Sequence, residues 1–205
     1  MTTEQTLIQN FEKFKELIGK IGSKGGNILS FIEEEADRII ICPASTKLDY
    51  ICAYPGGLVE HSLRVLTMFA KARTAYGLQE TISTETTILL SLLHDIGKIG
   101  SDSKEYYIEN DSQWHKDKLG QMYKISEKLE HIPTSQLSLM HLTKAGVKLD
   151  VDEWFAVSSV RDRAKKDDLP TDSEPMAAAI LHHAIKMAIM TGKGQKSAVL
   201  VGTGK

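Results

Sequence analysis

The chain has only two cysteines, Cys42 and Cys52, in 205 residues. That is too few for a disulfide framework, and no Cys–His spacing of the zinc-finger type surrounds them. Free thiols in a reducing, cytoplasmic setting are expected. Net charge is −2, so no one-signed field points to nucleic acid or an anionic membrane. No apolar run approaches the roughly 20 residues needed to cross a bilayer. The first residues, Met1-Thr2-Thr3-Glu4-Gln5, lack the basic and apolar regions of a signal peptide.

Helical periodicity is abundant. Leu7, Phe11, Phe14, Ile18 and Ile21 recur at spacings of four and three, which predicts an amphipathic helix over residues 1–24. Its narrow seam can pack on the domain or, less favourably, on a second chain, which leaves homo-oligomerisation open. A helix is predicted from Asn27 to Pro43, and another from Leu58 to Tyr76 after the turn Pro55-Gly56-Gly57. The segment after Ser83-Thr84 is apolar nearly all round, so it should be the central buried helix, stopped by Gly97. Residues 105–109 and 121–125 read as a small β-hairpin joined by a long polar loop. Further helices are expected from Pro133, from Asp150 or Asp152, and from Pro175 to Met190. Residues 165–173 read as a charged loop and 191–205 as a mobile tail. The expected architecture is all-α, a helical bundle over residues 25–190 with a small hairpin insertion.

The chemistry concentrates in Leu92-Leu93-His94-Asp95-Ile96-Gly97-Lys98. His94 and Asp95 are adjacent polar residues at the end of an apolar helix. His61 stands 33 positions upstream in Gly56-Gly57-Leu58-Val59-Glu60-His61. An H…HD pattern of this kind points to a divalent metal and phosphate-ester chemistry. Two neighbours can share one ion where a helix ends, and the negative helix C-terminus favours a cation. Two imidazoles and a carboxylate suit Mn, Fe, Co, Ni or Zn. A hydrogen-bonded core histidine beside a helix-terminal Asp is the bland alternative.

Taken with Cys42-Pro43-Ala44-Ser45-Thr46-Lys47 and Tyr54 to Leu63, and more loosely with Gly146 to Leu149 and Ile180 to Ala184, this motif resembles the HD-domain phosphohydrolase superfamily. The likeness is greatest to small HD proteins of phages and bacteria. It implies an all-α bundle, His61, His94 and Asp95 as metal ligands, and hydrolysis of a nucleotide or deoxynucleotide phosphate. Lys98 would join Asp95 in catalysis and contact phosphate; Lys47 and Arg64 would bind the remaining charge.

The resemblance also marks two departures. Where the family has a fourth ligand, an Asp, this chain has Ile185, in Leu181-His182-His183-Ala184-Ile185. Where related phage proteins often carry His-Asp-Gly, it reads Ser158-Ser159-Val160-Arg161-Asp162. Three outcomes follow. His182 or His183 substitutes, an extra water completes the coordination, or the metal is weakly held and the domain binds a nucleotide or protein without turnover. Residues 114–118, with Trp114, His115, Lys116 and Lys118, are a candidate lid, while His131 and His141 read as structural or surface residues.

Overall fold

The computed structural model describes residues 3–102, 104–160 and 174–192. The expected loop at 165–173 and the tail from 193 lie outside them, as do Arg161 and Asp162. The described residues are all-α apart from one two-stranded hairpin. None of their helices is long and apolar enough to cross a membrane.

Helix α1 (Thr3–Ile18) turns its seam inward: Phe11, Phe14, Ile18 and Ile21 are all buried. It packs against helices α4 (Gly57–Ala75) and α5 (Thr84–Leu93), and Leu7 covers Gly56. The seam is therefore used within the chain. Its outer face carries the ion pairs Lys13–Glu16 and Lys20–Glu16.

The single helix expected after Asn27 is two helices, α2 (Ile28–Glu34) and α3 (Ala36–Ile41), broken at Glu35. Neither Gly nor Pro causes the break. Arg38, just beyond it, donates to the Glu35 carboxylate and to the carbonyls of Ile99, Asp102 and Lys104. These contacts fix the direction of α3. Ile32 and Ile39 remain fully buried on either side of the break.

Glycine at both positions of the turn before α4 has a steric cause. Gly56 has φ +82°, and a Cβ on Gly57 would lie 1.9 Å from the Cys52 carbonyl oxygen. Helix α5 is capped by Ser83, whose hydroxyl accepts the Thr86 N–H, and every residue from Thr87 to Leu93 is buried. It is the central helix, as its composition predicts.

Strands β1 (Tyr107–Glu109) and β2 (Tyr123–Ile125) pair antiparallel, with Glu109 opposite Tyr123 and Tyr107 opposite Ile125. The expected loop between them contains a short helix, α6 (Gln113–Leu119), capped by Ser112 and ended by left-handed Gly120. The chain closes with α7 (Thr134–Lys144), α8 (Val151–Ser158) and α9 (Met176–Gly192). Asp150 and Glu153 form a reciprocal capping box at the start of α8. Helix α9 runs antiparallel to α4: His183 stands beside Tyr76, and Gly192 abuts the Arg64 guanidinium.

Candidate metal centre

His61 projects from the second turn of α4. His94 is the C-terminal cap of α5, and Asp95 follows at φ −111°, ψ 10°, outside helical geometry. The central helix thus ends at Leu93 and not at Gly97. Breaking the helix here lets consecutive side chains converge. One donor atom each from His61, His94 and Asp95 lies within 4.8 Å of the others. All three residues are buried, and the two imidazole rings are 5.9 Å apart at 65°.

The protonation pattern is set by partners. His94 Nδ1 is 3.0 Å from the Ser91 carbonyl oxygen. That oxygen can only accept, so Nδ1 carries the hydrogen and Nε2 presents a lone pair. His94 Nε2 is buried without a hydrogen-bond partner, and so is His61 Nδ1. Nε2 faces Asp95 Oδ2 at 3.5 Å, so two electron-rich atoms point into one space. Burial first, and then the nearby Lys98 and His94, push His61 down to about 3; it is a neutral imidazole at physiological pH. Burial opposes the charge on Asp95, but the Lys98 ammonium beside it holds its carboxyl well below the usual range. The neutral His61 imidazole, the His94 ring, a carboxylate and orphaned ring nitrogens fit a divalent transition metal.

Lys98 is buried, and its Nζ donates to Asp95 Oδ2 at 2.5 Å. It lies on a 3₁₀ turn (Ile96–Ile99) that α7 holds in place. The Ser138 hydroxyl accepts the Gly97 N–H at 2.9 Å and lies 2.9 Å from the His94 carbonyl and 3.0 Å from that of Thr134. Its one proton can serve either carbonyl. Gly97 permits this approach, because a Cβ there would lie 2.2 Å from the Thr134 carbonyl oxygen. Ser138 and the packing role of Gly97 are not read from the motif. The only hint is a hydroxyl residue on the apolar face shared by Leu137, His141 and Leu142. His141 itself is structural, its Nε2 2.7 Å from the Gly100 carbonyl.

The remaining expected site residues lie elsewhere. Arg64 is buried and paired with Glu60 at 2.5 Å, and Glu60 also accepts from the Tyr54 hydroxyl. In this conformation Arg64 is not offered to a ligand; the i,i+4 carboxylate claims it. Lys47 is half-buried on a loop bridged to Gln121. That bridge, with the Leu48 N–H to Gly120 carbonyl and Tyr123 N–H to Thr46 carbonyl bonds, ties the loop to the hairpin. Gly57 and Leu58 give their N–H groups to the Tyr54 and Cys42 carbonyls, so Pro55-Gly56-Gly57 acts as a turn and not as an anion cradle. Residues 114–118 form part of α6, with Trp114 and Lys118 exposed and His115 and Lys116 half-buried.

Neither late histidine joins the cluster. His182 is beside Ser159 and Glu174, at 3.4 and 3.5 Å. His183 is exposed against Tyr76, which lies about 22 Å along the α4 axis from His61 at 1.5 Å per residue. Ile185 is two residues further on, in the same half of that interface, and packs against the main core. The stretch of α9 nearest His61 is thus its C-terminal end, near Gly192.

Residues 58–146 match the family model of the HD domain. The match supports the HD-domain superfamily, whose members are generally metal-dependent phosphohydrolases. It spans His61, His94, Asp95, Lys98 and Ser138, and excludes Lys47 and α9. No curated protein and no solved structure matches the chain.

Proposed function

We propose that this protein is a metal-dependent phosphohydrolase acting on a nucleotide or deoxynucleotide phosphate, of the small phage and bacterial HD type. One observation carries the reading: one ligand atom each from His61, His94 and Asp95 lies within 4.8 Å of the others, both imidazoles carry a buried nitrogen without a hydrogen-bond partner, and a buried lysine sits on the same carboxylate. His61, His94 and Asp95 would hold the ion. When bound, a divalent metal supplies a polarised phosphoryl oxygen and a water of lowered pKa. Ser91 fixes the His94 tautomer, which keeps Nε2 available as a donor. Lys98, which holds Asp95 in this structure, would neutralise phosphate charge with an ion in the site. The buried surroundings strengthen both interactions by excluding water. Two buried free cysteines accord with a cytoplasmic setting.

A second reading, a degenerate HD domain that binds a nucleotide or protein without turnover, draws on a specific observation. Among the described residues the cluster has three donors and no fourth carboxylate. The two readings part experimentally. Metal content after purification is measured first, then phosphate release from a nucleotide panel with Mn²⁺, Co²⁺ or Zn²⁺. Turnover that disappears in Asp95→Ala supports the enzyme. An empty site with no turnover under any metal supports the binding module.

A further inference from the structure

A cavity of about 260 Å³ opens beside the metal centre, between α3, the turn before α4 and the hairpin. Lys98 belongs to both sites: it lines this cavity, and its ammonium sits on Asp95. The Cys42 thiol, also in the lining, donates to the Lys98 carbonyl at 3.4 Å. The two spaces are therefore one side chain apart.

The cavity's walls have a definite chemistry. Tyr107 and Tyr123 come from one face of the hairpin, because Tyr107 and Glu109 are two residues apart and Glu109 is opposite Tyr123. Pro43 and Pro55 add rigid apolar surface, and Ile41 stands at the mouth, 54% exposed. Arg38 closes one end, its guanidinium spent on Glu35 and three backbone carbonyls. The exposed Glu105 and Glu109 also line the space; their carboxylates accept hydrogen bonds and cannot donate them. Pockets for drug-sized ligands run to about 300–1,000 Å³. This one has room for a flat ring, not for a whole nucleotide.

We infer that this cavity binds the nucleobase of the substrate, a base carrying an exocyclic amino group, and places its phosphates toward Lys98 and Asp95. The assignment rests on the nucleotide reading above and adds the recognition element. The tyrosines and prolines take the faces of the ring, the acidic residues accept its amino hydrogens, and the fixed Arg38 keeps the cavity open. The hairpin thereby becomes a specificity element.

The test uses nucleosides, which carry no phosphate and need no metal to bind. Adenosine and uridine are titrated separately onto the full chain by calorimetry, with wild type, Ile41→Trp and Tyr123→Ala. Ile41→Trp fills the cavity from an exposed position, so its fold should persist; a thermal midpoint within a few degrees of wild type checks this. The expected result is adenosine binding weakened about tenfold or more in both variants, the scale of one lost base–aromatic contact. Uridine should bind wild type about tenfold more weakly than adenosine. In turnover, Ile41→Trp should raise KM by about tenfold or more. Absent adenosine binding, or binding unchanged in both variants, overturns the assignment. Equal binding of uridine overturns the choice of an amino-bearing base. Phosphate release with unchanged KM in Ile41→Trp would keep the hydrolase and reject the cavity. Adenosine binding lost in the variants, without any phosphate release, would keep the cavity and reject the hydrolase.

Discussion

Lys98 Nζ lies 2.5 Å from Asp95 Oδ2, on the carboxylate that also faces the His94 lone pair. Both side chains are 8% exposed, so the pair is shielded from solvent and its partners are closely coupled. The ammonium occupies coordination space that an incoming cation would claim. If His61, His94 and Asp95 hold an ion as proposed, lysine and metal would compete for Asp95, and Lys98 would then be available to a phosphate.

Lys98→Met should therefore separate metal affinity from turnover. Without the ammonium, Asp95 is an uncompensated buried charge, and the metal-free protein should lose about 3–5 kcal/mol. Metal affinity should rise by about tenfold, the scale typical of altering a ligand's immediate partner. Phosphate release should nevertheless fall by about a hundredfold, because the phosphate loses its cation. Denaturant unfolding with and without metal, metal titration and steady-state kinetics check the three parts. Weaker metal binding in Lys98→Met would show that the lysine supports the site and does not compete for it.

Ser138 is a positioning residue. Its hydroxyl joins the Gly97 N–H to the carbonyls of His94 and Thr134. Ser138→Ala leaves a buried N–H unpaired, which should cost about 1–3 kcal/mol. It also loosens the turn that aims His94 and Asp95, so metal affinity should drop by about 10–100-fold. A purely structural role would lower the unfolding midpoint and leave the metal dissociation constant of the folded protein unchanged.

Much of the bundle is legible because helices write their packing locally. The 4-3 spacing of α1, the nearly uniform apolarity of α5 and the caps at Ser83 and Asp150 each need only neighbours within a turn or two. The His61, His94 and Asp95 cluster is legible because its motif is dense. The break at Glu35 is not, since it depends on Arg38 reaching carbonyls more than 60 positions away. Helix α6 is hidden by a polar sequence with little apolar periodicity, although Ser112 and Gly120 mark its ends. The commitment of Arg64 to Glu60 is readable from i,i+4 spacing. The placement of Ile185 away from His61 requires the packing register of α9 on α4, which no local pattern encodes.

Glu153 offers a test of the architecture away from the metal. Its carboxylate is 1% exposed and accepts from Lys24 Nζ at 2.6 Å, Thr86 Oγ1 at 2.7 Å and the Asp150 N–H at 3.1 Å. It joins the turn after α1, the start of α5 and the start of α8. Glu153→Ala leaves the partly exposed Lys24 to Asp150 alone, strips the Thr86 hydroxyl of its acceptor and removes half of the capping box, so about 1–3 kcal/mol should be lost. Metal affinity of the folded variant should stay within about threefold of wild type, well below the 10–100-fold effect of an altered outer-shell partner. Urea unfolding and metal titration on the same preparation separate the two quantities.

Gly97 and Gly146 form a contrasting pair. Gly97 has no left-handed φ, so alanine is acceptable to its backbone. The obstacle is α7: the added methyl would meet the Thr134 carbonyl oxygen at 2.2 Å and the Ser138 nitrogen at 2.5 Å. Backbone atoms in a helix cannot turn aside as a flexible side chain can, so α7 must move away or the 94–98 turn must shift. Gly97→Ala should cost about 3 kcal/mol, the upper end of overpacking effects. It should also reduce metal affinity by at least about tenfold by moving His94 and Asp95. Gly146 is the reverse case, with φ +68° and no atom within 4 Å of where a methyl group would stand. Gly146→Ala should cost only the left-handed strain, about 1–2 kcal/mol, and leave metal affinity unchanged. Equal metal affinity in the two variants would mean that the close approach of α7 does not set the geometry of the His94–Asp95 turn.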